Sequence, residues 1–77
     1  MLGYHAPVME SSFIILNGKQ HLIQAGQSVL DLLSSLGMGA QPVVVELNEQ
    51  AIIPSLFASS ILARGDRVEI VSIVAGG

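Results

Sequence analysis

The residues best placed to do chemistry in this sequence are its last three, Ala75, Gly76 and Gly77, which follow the apolar run IVSIV at 70–74. Glycine ends a strand badly, because it offers no side chain to pack and loses more backbone entropy on ordering than any other residue. Chain ends fray and tolerate almost any residue, which is one account of the pair. The other account is access. No side chain in 75–77 is larger than a methyl group, so the segment suits a narrow channel. From Ile73 onward five residues extend about 15 Å. The carboxylate of Gly77 is ionised at neutral pH and resists nucleophiles until one oxygen becomes a leaving group. Adenylation by ATP achieves this, and the acyl-adenylate then accepts sulfur or an amine. Paired glycines also let an activating enzyme's backbone approach closely.

Other reactive types lack partners. His5 and His21 have no second histidine or carboxylate at ligand spacing, and both read as solvated imidazoles. Ser34-Ser35 and Ser59-Ser60 lack the glycine context of a nucleophile elbow and read as helix-end and loop polars. The glycines at 26, 37, 39 and 65 do not assemble into a phosphate-binding loop. Glu46, Glu49, Asp66 and Glu69 are scattered over strand faces and turns. Tyr4, Phe13 and Phe57 are too few for a base-stacking platform. The chain has no cysteine, which excludes disulfides, thiolate metal sites and a cysteine nucleophile, and fits a cytoplasmic protein. These absences point to a chain that is acted upon rather than an enzyme, with no cofactor or metal of its own.

The 77 residues allow one small domain, and a domain of this size buries only roughly 60% of its unfolded surface. The composition, 51% hydrophobic against 12% charged, supplies the apolar core that such a domain needs. The net charge is −3, and Lys19, Arg64 and Arg67 are too scattered to form a basic stripe, so nucleic acid is not an expected partner. No apolar run approaches the ~20 residues that span a bilayer, and a membrane is not expected either. Residues 1–11 show no secretion-signal pattern and read as a leader ahead of a domain at 12–77, with Met9 as a second candidate start.

Five strands and one helix must carry the tail. Asn17-Gly18 between apolar runs predicts a hairpin of strands 12–16 and 20–24, because both central residues of a type I′ turn need positive φ. Ser28 is a good N-cap with Asp31 three residues on. Val29, Leu32, Leu33 and Leu36 then fall on one helical face, and Gly37 ends the helix. Val43, Val45 and Leu47 alternate with Val44, Glu46 and Asn48, which predicts a strand. Asn48-Glu49 turns into a short strand at 50–53, stopped by Pro54. A 3₁₀ turn is expected near 56–59, with Leu56, Phe57, Ile61 and Leu62 plugging the core. The last strand is expected at 67–74, beside the first in the sheet's centre. The order β-β-α-β-β-turn-β predicts an α+β, β-grasp fold with one main helix on one face of a mixed sheet.

In that last strand Val71 and Ile73 should face away from Val68, Ile70 and Val74, which leaves both faces of its IVSIVA portion, 70–75, apolar except at Ser72. Either a loop covers the second face, or Val71 and Ile73, with Val44, form a patch for another protein.

The stretches LNGK at 16–19, SVLDLLSSLG at 28–37, VVVELNEQAIIP at 43–54, RGDRVEIV at 64–71 and VAGG at 74–77 resemble the ThiS family of sulfur carriers in bacterial thiamine biosynthesis. The resemblance runs from about residue 12 to the end and implies the ubiquitin-like form of the β-grasp fold. It implies that an E1-like adenylyltransferase (ThiF-like) uses Mg-ATP to adenylate Gly77. Sulfur relayed from a cysteine desulfurase would convert the carboxylate to a thiocarboxylate, which a thiazole synthase (ThiG-like) consumes. It also implies that Ala75, Gly76 and Gly77 thread the partner's active site while Val71, Ile73 and Val74 dock. The family usually carries a basic residue after the proline, where this chain has Ser55. Three other readings share these features: the small subunit of molybdopterin synthase, a ubiquitin-like modifier joined to lysines through Gly77, and an interaction module with a frayed end. Deleting Gly76-Gly77 would spare the last alone.

Overall fold

Asn17 and Gly18 take φ of 49° and 84°, the pair of positive values that a type I′ turn demands, and they close the first hairpin. The structure, a computed structural model, describes residues 11–73. Strand β1, Ser11–Leu16, pairs antiparallel with β2, Lys19–Gln24, in unbroken register from Ser11↔Gln24 to Leu16↔Lys19. Each of these strands starts one residue before the sequence pattern marks it.

Helix α1, Val29–Ser35, begins with a reciprocal cap. The Ser28 hydroxyl accepts from the Asp31 amide and the Asp31 carboxylate accepts from the Ser28 amide, each at 3.0 Å. Two donors that the first turn leaves without partners are thereby satisfied. Val29, Leu32 and Leu33 are buried beneath the helix. Leu36, expected on the same face, sits at the C-cap and is exposed.

Strand β3, Val43–Leu47, turns through Asn48 and Glu49 into β4, Gln50–Ile52. Both turn residues again have positive φ, 52° and 71°. The 3₁₀ turn lies at Pro54–Leu56, earlier than expected, because proline's fixed φ suits the first helical position. Only two of the four expected plugs enter the core. Phe57 and Leu62 are buried, whereas Leu56 and Ile61 are exposed. Ile61 forms an isolated bridge with Ser28 in extended backbone, where neighbouring side chains point to opposite sides, so Leu62 goes in and Ile61 out.

Strand β5, Arg67–Ser72, completes a mixed sheet of order β2-β1-β5-β3-β4. It runs parallel to β1 and antiparallel to β3, so the last strand lies beside the first in the centre. The fold is the β-grasp expected from the order of elements, in the ubiquitin-like form that the resemblance implies. Ile14, Ile23, Val45, Val68 and Ile70 meet the helix's apolar face in one core.

Two asparagines hold β5 from either side. The Asn17 side-chain carbonyl accepts from the Ile70 amide at 2.9 Å while its own amide donates to Val68 at 2.9 Å. Asn48 accepts from the Arg67 amide at 2.9 Å and donates to the Arg67 carbonyl at 2.7 Å. Each turn residue thus extends a β ladder past the end of its strand.

Candidate functional site

Strand alternation decides which side chains of β5 can meet a partner. Val68 and Ile70 point under the helix and are buried. Val71 and Ile73 point to the helix-free face, where they remain 60% and 50% exposed. Val44 lies directly opposite Val71 on β3 and is 44% exposed. Three branched side chains therefore form an open patch at the end of β5. Among the described residues no loop covers it, which favours the docking alternative for the apolar second face of this strand.

The patch is fixed rather than fringe. Val43 pairs with Ser72, and the Ile73 amide donates to the Pro42 carbonyl at 3.0 Å, one residue beyond the strand proper. The Ser72 hydroxyl donates to the Gln41 side-chain oxygen at 3.3 Å. The segment before β3 thus holds the chain up to Ile73. Nothing in the local sequence marks Gln41 or Pro42 for this task, because the contact joins residues about thirty apart and depends on register. Strand β5 was expected to run to 74 and ends at Ser72. Val74, Ala75, Gly76 and Gly77 lie outside the described residues.

Below the patch on the same face, Glu46 and Glu69 sit directly opposite each other. With Glu49 and Arg67 they line a shallow recess. Like charges in direct cross-strand register repel. At the far corner Arg64 stacks over the Phe13 ring, 5.2 Å from its centroid. The helix-free face therefore reads, from the tail backwards, as apolar, then acidic, then aromatic and basic.

The remaining candidate groups do not converge. The Ser35 hydroxyl donates to the Leu32 carbonyl at 2.7 Å, and those of Ser59 and Ser60 donate to Leu56 at 3.2 and 2.7 Å. These hydroxyls stabilise local backbone. His21 is half-buried on β2 opposite Ile14, and His5 lies outside the described residues. Among the described residues no three His, Cys, Asp or Glu side chains gather as metal ligands, and no helix is long and apolar enough to cross a membrane.

Residues 14–77 match the family described as the ThiS family. Thiazole synthases of Magnetococcus marinus and Paramagnetospirillum magneticum are each 33% identical over 64 residues, which is 83% of this chain and 20% of theirs. The chain thus spans about a fifth of the length of the curated relatives it matches. The crystal structure of the thiamine biosynthesis protein ThiS from Geobacter metallireducens superposes with a TM-score of 0.68 at 32% identity, covering 84% of this chain and 99% of that one.

Proposed function

The chain belongs to the ThiS family, and from that premise we propose that it is a sulfur carrier of thiamine biosynthesis, a protein cosubstrate without a catalytic site of its own. The observation that carries this reading is the exposed patch of Val44, Val71 and Ile73, tied to β3 and Pro42 by backbone hydrogen bonds and followed in the sequence by Gly76-Gly77. A partner that covers the patch receives the tail at a fixed distance. Val74 adds to that contact, and Ala75, Gly76 and Gly77 thread the active site.

The partner that activates the tail is an E1-like adenylyltransferase, which supplies Mg-ATP. A carboxylate oxygen of Gly77 attacks the α-phosphorus and pyrophosphate leaves. A persulfide charged by a cysteine desulfurase then attacks the acyl-adenylate through its terminal sulfur and displaces AMP to give an acyl persulfide, and a thiol reductant cleaves that S–S bond, leaving the thiocarboxylate and a disulfide. The acceptor is a thiazole synthase. That a segment similar to this chain lies within two proteins named thiazole synthase supports this choice over a molybdopterin acceptor. The carrier itself binds no cofactor and works in the cytoplasm.

Intact-mass spectrometry after incubation with the adenylating enzyme, ATP and a sulfur source tests the reading. C-terminal peptide mapping must accompany it, because exchanging oxygen for sulfur nearly matches the mass gained by oxidising one of the three methionines. Sulfur on Gly77 is the expected result. An unmodified tail, with an enzyme competent on another carrier, would overturn it.

A further inference from the structure

The turn that closes the first hairpin carries a reaction of its own. Asn17 is followed by Gly18, and glycine has no side chain to bar the approach to its nitrogen. In an open chain the Gly18 nitrogen can attack Cγ of Asn17, the side-chain carbonyl carbon. A C–N bond forms, the bond from Cγ to Nδ2 breaks, and Nδ2 leaves as ammonia with the proton given up by the Gly18 amide. The product is a five-membered cyclic imide, and nothing is oxidised or reduced. Water then opens the imide at Cγ, giving aspartate, or at the main-chain carbonyl, giving isoaspartate. In isoaspartate the main chain runs through Cβ and Cγ.

The folded hairpin holds the reacting atoms apart. A type I′ turn sets ψ of its first central residue at about +30°, and Asn17 has the matching φ of 49°. At that ψ the Cβ of an L-residue lies nearly opposite the following nitrogen across the Cα–C bond. Ring closure needs Cβ to eclipse that nitrogen, close to half a turn away. Three restraints resist the rotation. The Asn17 amide donates to the Val68 carbonyl, and its side-chain carbonyl accepts from the Ile70 amide, each at 2.9 Å. Leu16 also pairs with Lys19 across the turn. Asn48 is held in a similar way, at φ 52° with its side chain on the Arg67 amide, but Glu49 follows it and crowds the nitrogen.

We propose that Asn17-Gly18 is a self-modification site kept closed by its bonds to β5, and that its isoaspartyl form releases the end of β5 that carries Val71. The ladder between β1 and β5 has two pairs, Ile15↔Arg67 and Leu16↔Val68. Among the described residues, Asn17 is therefore the last group on this side to hold β5. Isoaspartate lengthens the main chain of the turn by one carbon and draws into it the carbonyl that served Ile70. Ile70 is 7% exposed, and a buried amide without its acceptor is costly. Residues 70–72 are then held by β3. Aspartate behaves differently. Its carboxylate oxygen takes the place of Oδ1 and accepts the same bond, so one hydrolysis product keeps the grip and the other loses it. Departure of ammonia makes the conversion one-way, and it requires the hairpin to open. The site thus marks chains that have spent time locally unfolded. It stands independently of the sulfur-carrier reading.

The full chain, incubated at mildly alkaline pH either folded in buffer or unfolded in guanidinium chloride, provides the test. Trypsin cuts after Lys19, and the peptide it releases contains no other asparagine and no glutamine. A mass change from amide to acid in that peptide therefore reports Asn17 alone, and an isoaspartyl methyltransferase counts the isoaspartyl share. Each restraint biases the closed turn roughly fivefold, so folding should slow conversion about 100-fold. In the unfolded chain Asn17 should convert faster than Asn48. The isoaspartyl chain, refolded and purified by its added charge, should exchange the Ile70 amide with deuterium about tenfold faster than the unaltered chain and unfold at lower denaturant. Asn17→Asp should match the unaltered chain in both. Folded and unfolded rates within about threefold of each other, or an isoaspartyl chain that keeps its Ile70 protection, would overturn the proposal. So would an Asn17→Asp chain that loses this protection as fully as the isoaspartyl one.

Discussion

Substituting Val71 by aspartate separates docking from folding. A valine side chain is worth about 2 kcal/mol when fully buried. Val71 is 60% exposed, so the free chain realises only about 0.8 kcal/mol of that. The substitution also introduces a poor strand former near Glu69 and Glu46, adding some tenths of a kcal/mol. The expected loss of stability is therefore about 1–1.5 kcal/mol, against a total of roughly 4–11 kcal/mol for a domain of this length. Docking suffers more. The partner loses about 1.2 kcal/mol of remaining apolar burial, and an unpaired carboxylate is left desolvated at about 2 kcal/mol or more. Together these weaken binding by roughly 200-fold or more. Urea unfolding gives the first quantity, and titration calorimetry against the adenylating enzyme gives the second. Val68→Ala is the control. Its side chain is wholly buried, so it should cost about 2 kcal/mol of stability while leaving affinity nearly unchanged. A loss of more than about 3 kcal/mol in folding for Val71→Asp, or an affinity within a factor of two, would refute the assignment of this face.

Asn17→Gly keeps the positive φ of the hairpin but removes the carbonyl that serves the Ile70 amide; it should cost about 1–2 kcal/mol in denaturant unfolding. Glu49→Gly relieves a side chain held at φ 71° and should stabilise by about 1 kcal/mol, raising the thermal midpoint. Removing Gly76-Gly77 should leave the thermal midpoint unchanged while abolishing sulfur loading, measured by mass spectrometry. Retained loading would move the reacting group elsewhere.

The hairpin, the capped helix and the central last strand were legible in the sequence because each rests on local chemistry: Asn-Gly, Ser-x-x-Asp and alternating valines. Alternation alone placed Val71 and Ile73 on the second face, whereas the choice between a covering loop and an open patch needed the fold. The errors lie where tertiary context decides. Leu56 and Ile61 are as apolar as Phe57 and Leu62, yet backbone direction around the 3₁₀ turn sends them outward. The grip of Asn17 and Asn48 on β5 joins residues 53 and 19 apart in sequence, and asparagine at a turn gives no sign of a second duty. The link from Ile73 to Pro42 was hidden for the same reason.

The parallel pairing of β1 and β5 has a bearing on attachment. Ile15 lies beside Arg67, Ser11 stands four residues before it and Ile73 six residues after Arg67. Ten strand steps of about 3.3 Å separate the two points along the sheet by roughly 33 Å. Ser11 and Ile73 therefore stand at opposite poles of the sheet. A bead or a reporter joined directly at Ser11 would be attached about 33 Å from Ile73, so immobilisation there should leave the Val71 patch open to binding.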